Sequence, residues 1–167
     1  MPASARRHET ATADVQSRAG ERPGSLRARA LQLLKRRDYS RAELERKLAP
    51  YVEDTEALSA LLAELAELGW LSEQRLAEAL VRKHAARFGT RRVFEHLQER
   101  GIDPDLCERL RGELKASELE RARAVWWKRF GRMPADLREQ GRQARFLEQR
   151  GFEPDVIRRV LRGRDER

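Results

Sequence analysis

GIDPDLC at residues 101–107 and GFEPDVI at residues 151–157 are one seven-residue frame used twice, 50 positions apart. The frame reads as a helix stop followed at once by a helix start. Gly101 and Gly151 suit the left-handed position just past a helix C-terminus. Asp103 or Glu153 then stands at the N-cap, where Asp is the better acceptor of the two. Pro104 and Pro154 fit the first helical position, where a missing N–H costs nothing. A helical chain with a recurring stop–start signal is a helical repeat.

Upstream, Arg87-Phe88-Gly89 recurs as Arg129-Phe130-Gly131, 42 residues on. The two offsets differ by eight, which puts a longer turn or helix in the last unit, around Arg132–Gln140. Laying Asp38-Tyr39-Ser40 on Arg87-Phe88-Gly89 brings out a first unit. That register sets Leu44 on Val93, Leu48 on Leu97, Leu58 on Cys107 and Leu61 on Leu110, and Leu147, Ile157 and Val160 continue it. Each unit reads as three helices: Leu26–Arg37, Ser40 to about Pro50 and Asp54–Leu68; then Ser72–Arg87, Thr90–Arg100 and Pro104–Lys115; then Ser117–Phe130, Pro134–Arg150 and Pro154–Arg162. Ser40 and Glu43 form a capping box. No stretch alternates with period two, so no sheet is expected. The expected fold is all-α: three tandem three-helix repeats at 26–71, 72–116 and 117–167, forming an elongated, curved molecule. Residues 1–25, rich in Ala, Arg, Ser, Thr and Gly, read as a disordered tail.

Of 167 residues, 38% are charged and 6% aromatic. That balance suits helices with narrow apolar stripes. The net charge is +8, of which residues 117–167 carry +5 and residues 26–72 carry none. A basic excess weighted to the C-terminal half favours an anionic partner, nucleic acid or an acidic protein surface, over charge that serves solubility alone. The single cysteine forms no intramolecular disulfide, no run is long enough to span a membrane, and the N-terminus lacks the apolar core of a secretory signal. These point to a cytoplasmic protein, and a monomer is expected.

Catalysis needs a nucleophile beside a base, a metal cluster or a phosphate-cradling glycine loop. None is legible, so no catalytic, cofactor-binding or metal-ligating residue is assigned and no cofactor is expected. His8, His84 and His96 are not at ligand spacing. His84 takes the repeat position of Trp126 and reads as a half-buried packing residue, and Cys107 takes the slot of Leu58 and Ile157 and reads as core. Trp126 shares a face with Leu119, Ala122 and Phe130. Trp127, about 100° round the helix, reads as a contact to a neighbouring repeat or a partner, with repeat packing the stronger of the two. Two basic groups remain. Arg82, Lys83, Arg87, Arg91 and Arg92 surround the Phe88-Gly89 corner, and Lys128, Arg129 and Arg132 surround the Phe130-Gly131 corner. Bases at a helix C-terminus complement its dipole, which accounts for Arg87 and Arg129 but not for Arg91, Arg92 or Arg132. The alternatives are a spaced basic row facing phosphate or acidic surface, or solvated helix faces.

Tyr39-Ser-x-x-Glu-Leu-x-x-Lys-Leu48, Glu67-Leu-Gly-Trp-Leu71, Arg87-Phe-Gly89 with Gln98-Glu-Arg-Gly-Ile102, Arg129-Phe-Gly131 and Arg145-Phe-Leu-Glu-Gln-Arg-Gly-Phe152, in that order, resemble the RecX family of bacterial regulatory proteins across about Leu26–Arg162. The resemblance implies a non-catalytic protein that lodges in the groove of the RecA–DNA filament, inhibits ATP hydrolysis and strand exchange, and so modulates recombination, DNA repair and the SOS response. One departure is Trp70-Leu71-Ser72-Glu73, which keeps one acid where the family often has two. The competing reading is a general DNA-binding helical protein that acts by occupying single- or double-stranded DNA.

Overall fold

The computed structural model describes residues 24–163, and among them there are nine α-helices and no strand. The chain divides into two compact units, the first ending at Ser72 and the second beginning at Glu73.

The first unit holds α1 (Leu26–Leu34), α2 (Arg41–Leu48) and α3 (Thr55–Glu67). Each start is set by a short polar side chain that accepts the orphan N–H groups of the first turn. Ser25 accepts from Ala28, so a residue that composition assigned to the tail caps α1. Ser40 and Glu43 form the expected reciprocal capping box. Asp54 accepts from both Glu56 and Ala57. Helix α2 stops at Leu48 and tightens into a 3-10 turn, Ala49–Tyr51, around Pro50. The core is Leu31, Leu34, Leu44, Leu48, Leu58, Leu62 and Leu65, closed by Tyr39 and Leu71.

The second unit has two successive helix triplets: α4 (Glu73–Ala85), α5 (Thr90–Glu99) and α6 (Pro104–Ala116), then α7 (Glu118–Arg129), α8 (Leu137–Gln149) and α9 (Pro154–Leu161). Gly101 and Gly151 lie at φ +66° and +80°, as the repeated frame requires. After each, the next N–H reaches back to a leucine carbonyl, Ile102 to Leu97 at 3.2 Å and Phe152 to Leu147 at 3.2 Å. That six-to-one bond closes a Schellman cap. Asp103 caps α6 with two bonds, whereas Glu153 makes none with its side chain.

Leu48, Leu97 and Leu147, set on one another by the repeat register, are all fully buried. Cys107 is buried with them, its sulfur 3.7 Å from the Ile102 carbonyl. Burial, with Asp103, Glu73 and Glu108 adding, pushes its thiol up and keeps it unreactive. One helix start differs from expectation. Helix α8 begins at Leu137 rather than Pro134, because Asp136 accepts from Glu139 N at 2.7 Å while the Glu139 carboxylate accepts from Ala135 N. The eight extra residues of the last triplet are spent on this Arg132–Asp136 loop and on a longer α8.

Candidate functional site

The site rests on the joint between the two triplets of the second unit. Gly89 ends the α4–α5 corner and meets the backbone of Gly151 and Phe152 so closely that a Cβ would overlap Gly151 O. Gly89 N donates to Arg150 O at 2.8 Å, and Arg91 N donates to Gly151 O at 3.3 Å. On the other side of this contact, a Cβ on Gly151 would lie 2.7 Å from Arg92 Cβ. The two corners are therefore fitted backbone to backbone.

Helix α7 fastens them. Gly89 has no side chain to cap α5, and the buried Glu118 carboxylate supplies the missing acceptor, taking Thr90 N at 3.0 Å and Glu153 N at 3.3 Å. One turn on, Arg121 reaches into the same joint. Its guanidinium donates to the carbonyls of Phe88, Leu114 and Ala85 at 2.6, 2.9 and 3.1 Å and to Thr90 Oγ1 at 3.2 Å. Its burial pushes the guanidinium pKa down, and Glu118 pulls it back up.

This joint carries Arg87 to the flank of α7 and α8, and a basic groove results. One cavity of about 380 Å³ is lined by Arg87, Lys128, Arg129 and Arg150 around Val125 and Phe146. A second, of about 450 Å³, is lined by Arg129, Arg132, Arg142 and Arg145 around Phe130 and Phe146. Arg129 and Phe146 belong to both, so the cavities run on from one another. Aromatic rings order the cations. Phe130 and Phe146 meet edge to face at 5.2 Å. Arg129 and Arg142 lie 5.6 and 5.9 Å from the Phe130 centroid, and Arg150 lies 4.6 Å from Phe146 and 5.9 Å from Phe88. Guanidinium groups at such distances are drawn to the ring faces. The acid at the groove is Glu139, 2.8 Å from Arg132 and 3.7 Å from Arg142.

Four of the eight basic residues expected at the corners thus converge: Arg87, Lys128, Arg129 and Arg132. The other four do not line the groove. Arg82 pairs loosely with Glu78 on the α4 surface, and Lys83 lies exposed beside it. Arg91 donates to the Glu148 carbonyl and Arg92 packs on Gly151, so both help to build the joint and are not merely exposed corner charges. Arg142, Arg145 and Arg150 were missed. Their signal was available: with Phe146 they recur at helical spacing on α8, a face that turns to α7 only in the folded chain.

The other chemistry-bearing residues sort simply. His84 and His96, far apart in sequence, stack at 4.3 Å beside Phe88. Loss of water around His84, with His96, Lys83 and Arg87 adding, lowers its pKa. Trp126 is buried and donates to Gln143 Oε1 at 2.6 Å. Trp127, expected to pack on a neighbouring repeat, is 66% exposed, because the 100° step from Trp126 carries it past the α9 contact. Among the described residues no cluster of His, Cys, Asp and Glu could hold a metal ion. None of the described helices is long and apolar enough to cross a membrane.

Comparison with known proteins places this architecture. The family model described as "RecX, third three-helix domain" matches residues 116–161, the stretch that holds α7, α8 and α9. A crystal structure of RecX from Lactobacillus salivarius superimposes with a TM-score of 0.69 at 21% identity, covering 82% of this chain and 92% of that one. Another RecX crystal structure gives 0.63 at 16% identity, with 95% and 81% covered; both show the shared fold. In sequence, the regulatory protein RecX of Ralstonia nicotianae is 46% identical over 86% of this chain and 90% of its own length. That of Leptothrix cholodnii is 47% identical over 86% and 92%. Relatives this similar, matched nearly end to end, establish that the chain belongs to the RecX family of regulatory proteins.

Proposed function

We propose that this protein binds the RecA recombinase filament and inhibits its ATPase and strand-exchange activities by occupancy alone, with no turnover of its own. The observation that supports this reading is the basic groove. Family membership supplies the regulatory role, and a cluster of arginines set on aromatic rings supplies a surface fitted to an anionic partner. Charge repulsion inside the groove is relieved when such a partner enters. Three divisions of the chain, at 26–71, 72–116 and 117–167, each contribute a helix triplet, and the last two build the contact. The protein acts in the cytoplasm as a monomer.

The test is an ATPase titration of the cognate recombinase on single-stranded DNA. Inhibition should saturate with filament occupancy, and the triple reversal Lys128→Glu, Arg129→Glu and Arg132→Glu should weaken filament binding by at least tenfold while far-UV circular dichroism stays helical. These positions replace Arg91 and Arg92 as targets, since those two carry the joint. Normal binding by the triple variant would remove the groove from the contact. Naked duplex binding as tight as filament binding would favour a protein that acts by covering DNA.

A further inference from the structure

We infer that the groove between α7 and α8 is a binding site for the phosphodiester backbone of single-stranded nucleic acid, with two adjoining phosphate subsites that share Arg129. This deepens the reading above by naming the chemical class that the groove takes.

Charge is the first argument. Seven cations line the two cavities: Arg87, Lys128, Arg129, Arg132, Arg142, Arg145 and Arg150. Of these, Arg132 and Arg142 share the Glu139 carboxylate, and the other five have no carboxylate partner among the described residues. Of the 36 basic and 28 acidic side chains in the chain, 29 bases and 27 acids lie elsewhere, nearly in balance, so this imbalance is local. An uncompensated row of cations held close together favours a polyanion with regularly spaced charge.

Geometry is the second argument. Six of the seven are arginines, whose planar forks match phosphate oxygens two at a time. Ring contacts hold four of them: Arg129 and Arg142 on Phe130, Arg150 on Phe146 and Arg87 on Phe88 at 5.6 Å. Arg150 is fixed further by a 3.2 Å bond to the Arg87 carbonyl. The guanidinium groups are thus oriented before a ligand arrives, which lowers the ordering cost of binding. Glu139 shows that an oxyanion sits well between Arg132 and Arg142, at 2.8 and 3.7 Å.

Size decides between strand and duplex. The cavities, about 450 and 380 Å³, are clefts of small-ligand dimensions. A single strand can lay successive phosphates into them and turn a base toward Phe130 or Phe146. A duplex is too wide to enter, and its phosphates could touch only the rim. An acidic peptide carries the right charge, but its carboxylates sit at the ends of flexible side chains, each with two oxygens, and fit the oriented arginine forks less closely than backbone phosphates do.

The experiment uses the full-length chain and a fluorescein-labelled oligothymidine of about 15 nucleotides, the span of a single-strand site, with anisotropy read over a salt series and no recombinase present. Binding should weaken with a log–log slope of about −1.4, as two phosphates at roughly −0.7 each predict. A hairpin duplex should bind at least tenfold more weakly. Arg142→Glu with Arg145→Glu, both in one subsite, should reduce oligothymidine affinity at least tenfold and flatten the slope by about 0.7, the share of one phosphate. Arg82→Glu with Lys83→Glu, outside the groove, should change affinity less than twofold. If the reversal destabilises the fold, Arg145→Gln alone should still flatten the slope, by up to about 0.7. Overturning results are an unchanged slope in the groove variants, duplex binding as tight as single-strand binding, or a polyglutamate peptide that binds the groove while oligothymidine does not. Running the ATPase titration in parallel separates the two proposals. Loss of oligothymidine binding with full inhibition retained supports this inference and removes the groove from filament inhibition.

Discussion

Arg87-Phe88-Gly89 and Arg129-Phe130-Gly131 are the same three residues at two helix ends, yet their glycines serve opposite needs. Gly89 has an ordinary φ of −72° and is confined by space, since the backbone of Gly151 fills the place of its Cβ. Gly131 lies at φ +65°, and a Cβ there would meet only Trp127 O at an ordinary 3.7 Å, so its constraint is conformational. The first corner closes at once into α5, while the second opens into the loop that ends at Asp136. One tripeptide therefore marks a closed corner that joins two triplets and an open corner that borders the groove. The difference lies in the partner: the first corner has Arg150-Gly151-Phe152 to meet.

The sharpest way to break this comparison is to put the same side chains at both glycines. Gly89→Ala should cost about 3 kcal/mol, the top of the range for overpacking, because the colliding atoms are backbone and cannot rotate away. Gly131→Ala should cost about 1–2 kcal/mol, the penalty for an L-residue in the left-handed region. Asparagine separates the two causes. It tolerates positive φ, so Gly131→Asn should be milder than Gly131→Ala, while Gly89→Asn, being larger, should be worse than Gly89→Ala. Urea midpoints for the four variants give the order directly. The same ranking of Ala and Asn at both sites would show that the glycines share one constraint.

A smaller effect should follow from removing what holds the closed corner. Arg121→Met keeps the apolar stem and deletes the donors to Phe88, Leu114 and Ala85. Bonds to a charged donor contribute about 1.5–3 kcal/mol net, and water can reach part of this one, so about 2 kcal/mol is expected. Hydrogen exchange should rise at Thr90, whose N–H is held by Glu118, and stay unchanged in α1–α3 of the first unit. Uniform loss of protection through α7–α9 with Thr90 unaffected would mean that Arg121 supports its own helix and not the corner.

What the sequence made legible follows from range. Caps and repeat frames act within a few residues, so the Ser40–Glu43 box, the Asp54 and Asp103 caps and the left-handed Gly101 and Gly151 could all be read in order. The leucine register carried over because Leu48, Leu97 and Leu147 answer to one helical period. The joint and the groove are relations between residues up to 63 positions apart, as Arg150 to Arg87 is. Nothing local distinguishes Arg121, half-buried and bonded to three carbonyls, from Arg123 two residues on. Likewise Arg91 and Arg92 read as surplus charge until Gly151 and the Glu148 carbonyl are beside them. Arg87, Lys128, Arg129 and Arg132 stand beside the two corners in the sequence itself, whereas Arg142, Arg145 and Arg150 join them only once α8 lies against α7.

The smallest effect expected is one of pH, and it too separates the corners. His84 takes at the closed corner the position that Trp126 takes at the open one. Trp126 carries no titratable group and bonds to Gln143, whereas the His84 ring stacks on His96 with Lys83, Arg87 and Phe88 about it. Desolvation first, and then those neighbouring charges, hold its pKa below the 6.5 of a free imidazole. In the unfolded chain the ring takes up its proton near 6.5; in the folded chain it does so only at lower pH. The stabilisation is therefore complete above about pH 6.5 and is lost as pH falls from there toward the folded pKa, where both states are protonated. Because the ring is only half-buried, the loss should be a small shift of the urea midpoint between pH 7.5 and pH 5.5. His84→Phe keeps the stack on His96 and should flatten that shift. If both proteins lose the same stability over that interval, the proton is taken up elsewhere, and the two corners differ in their glycines alone.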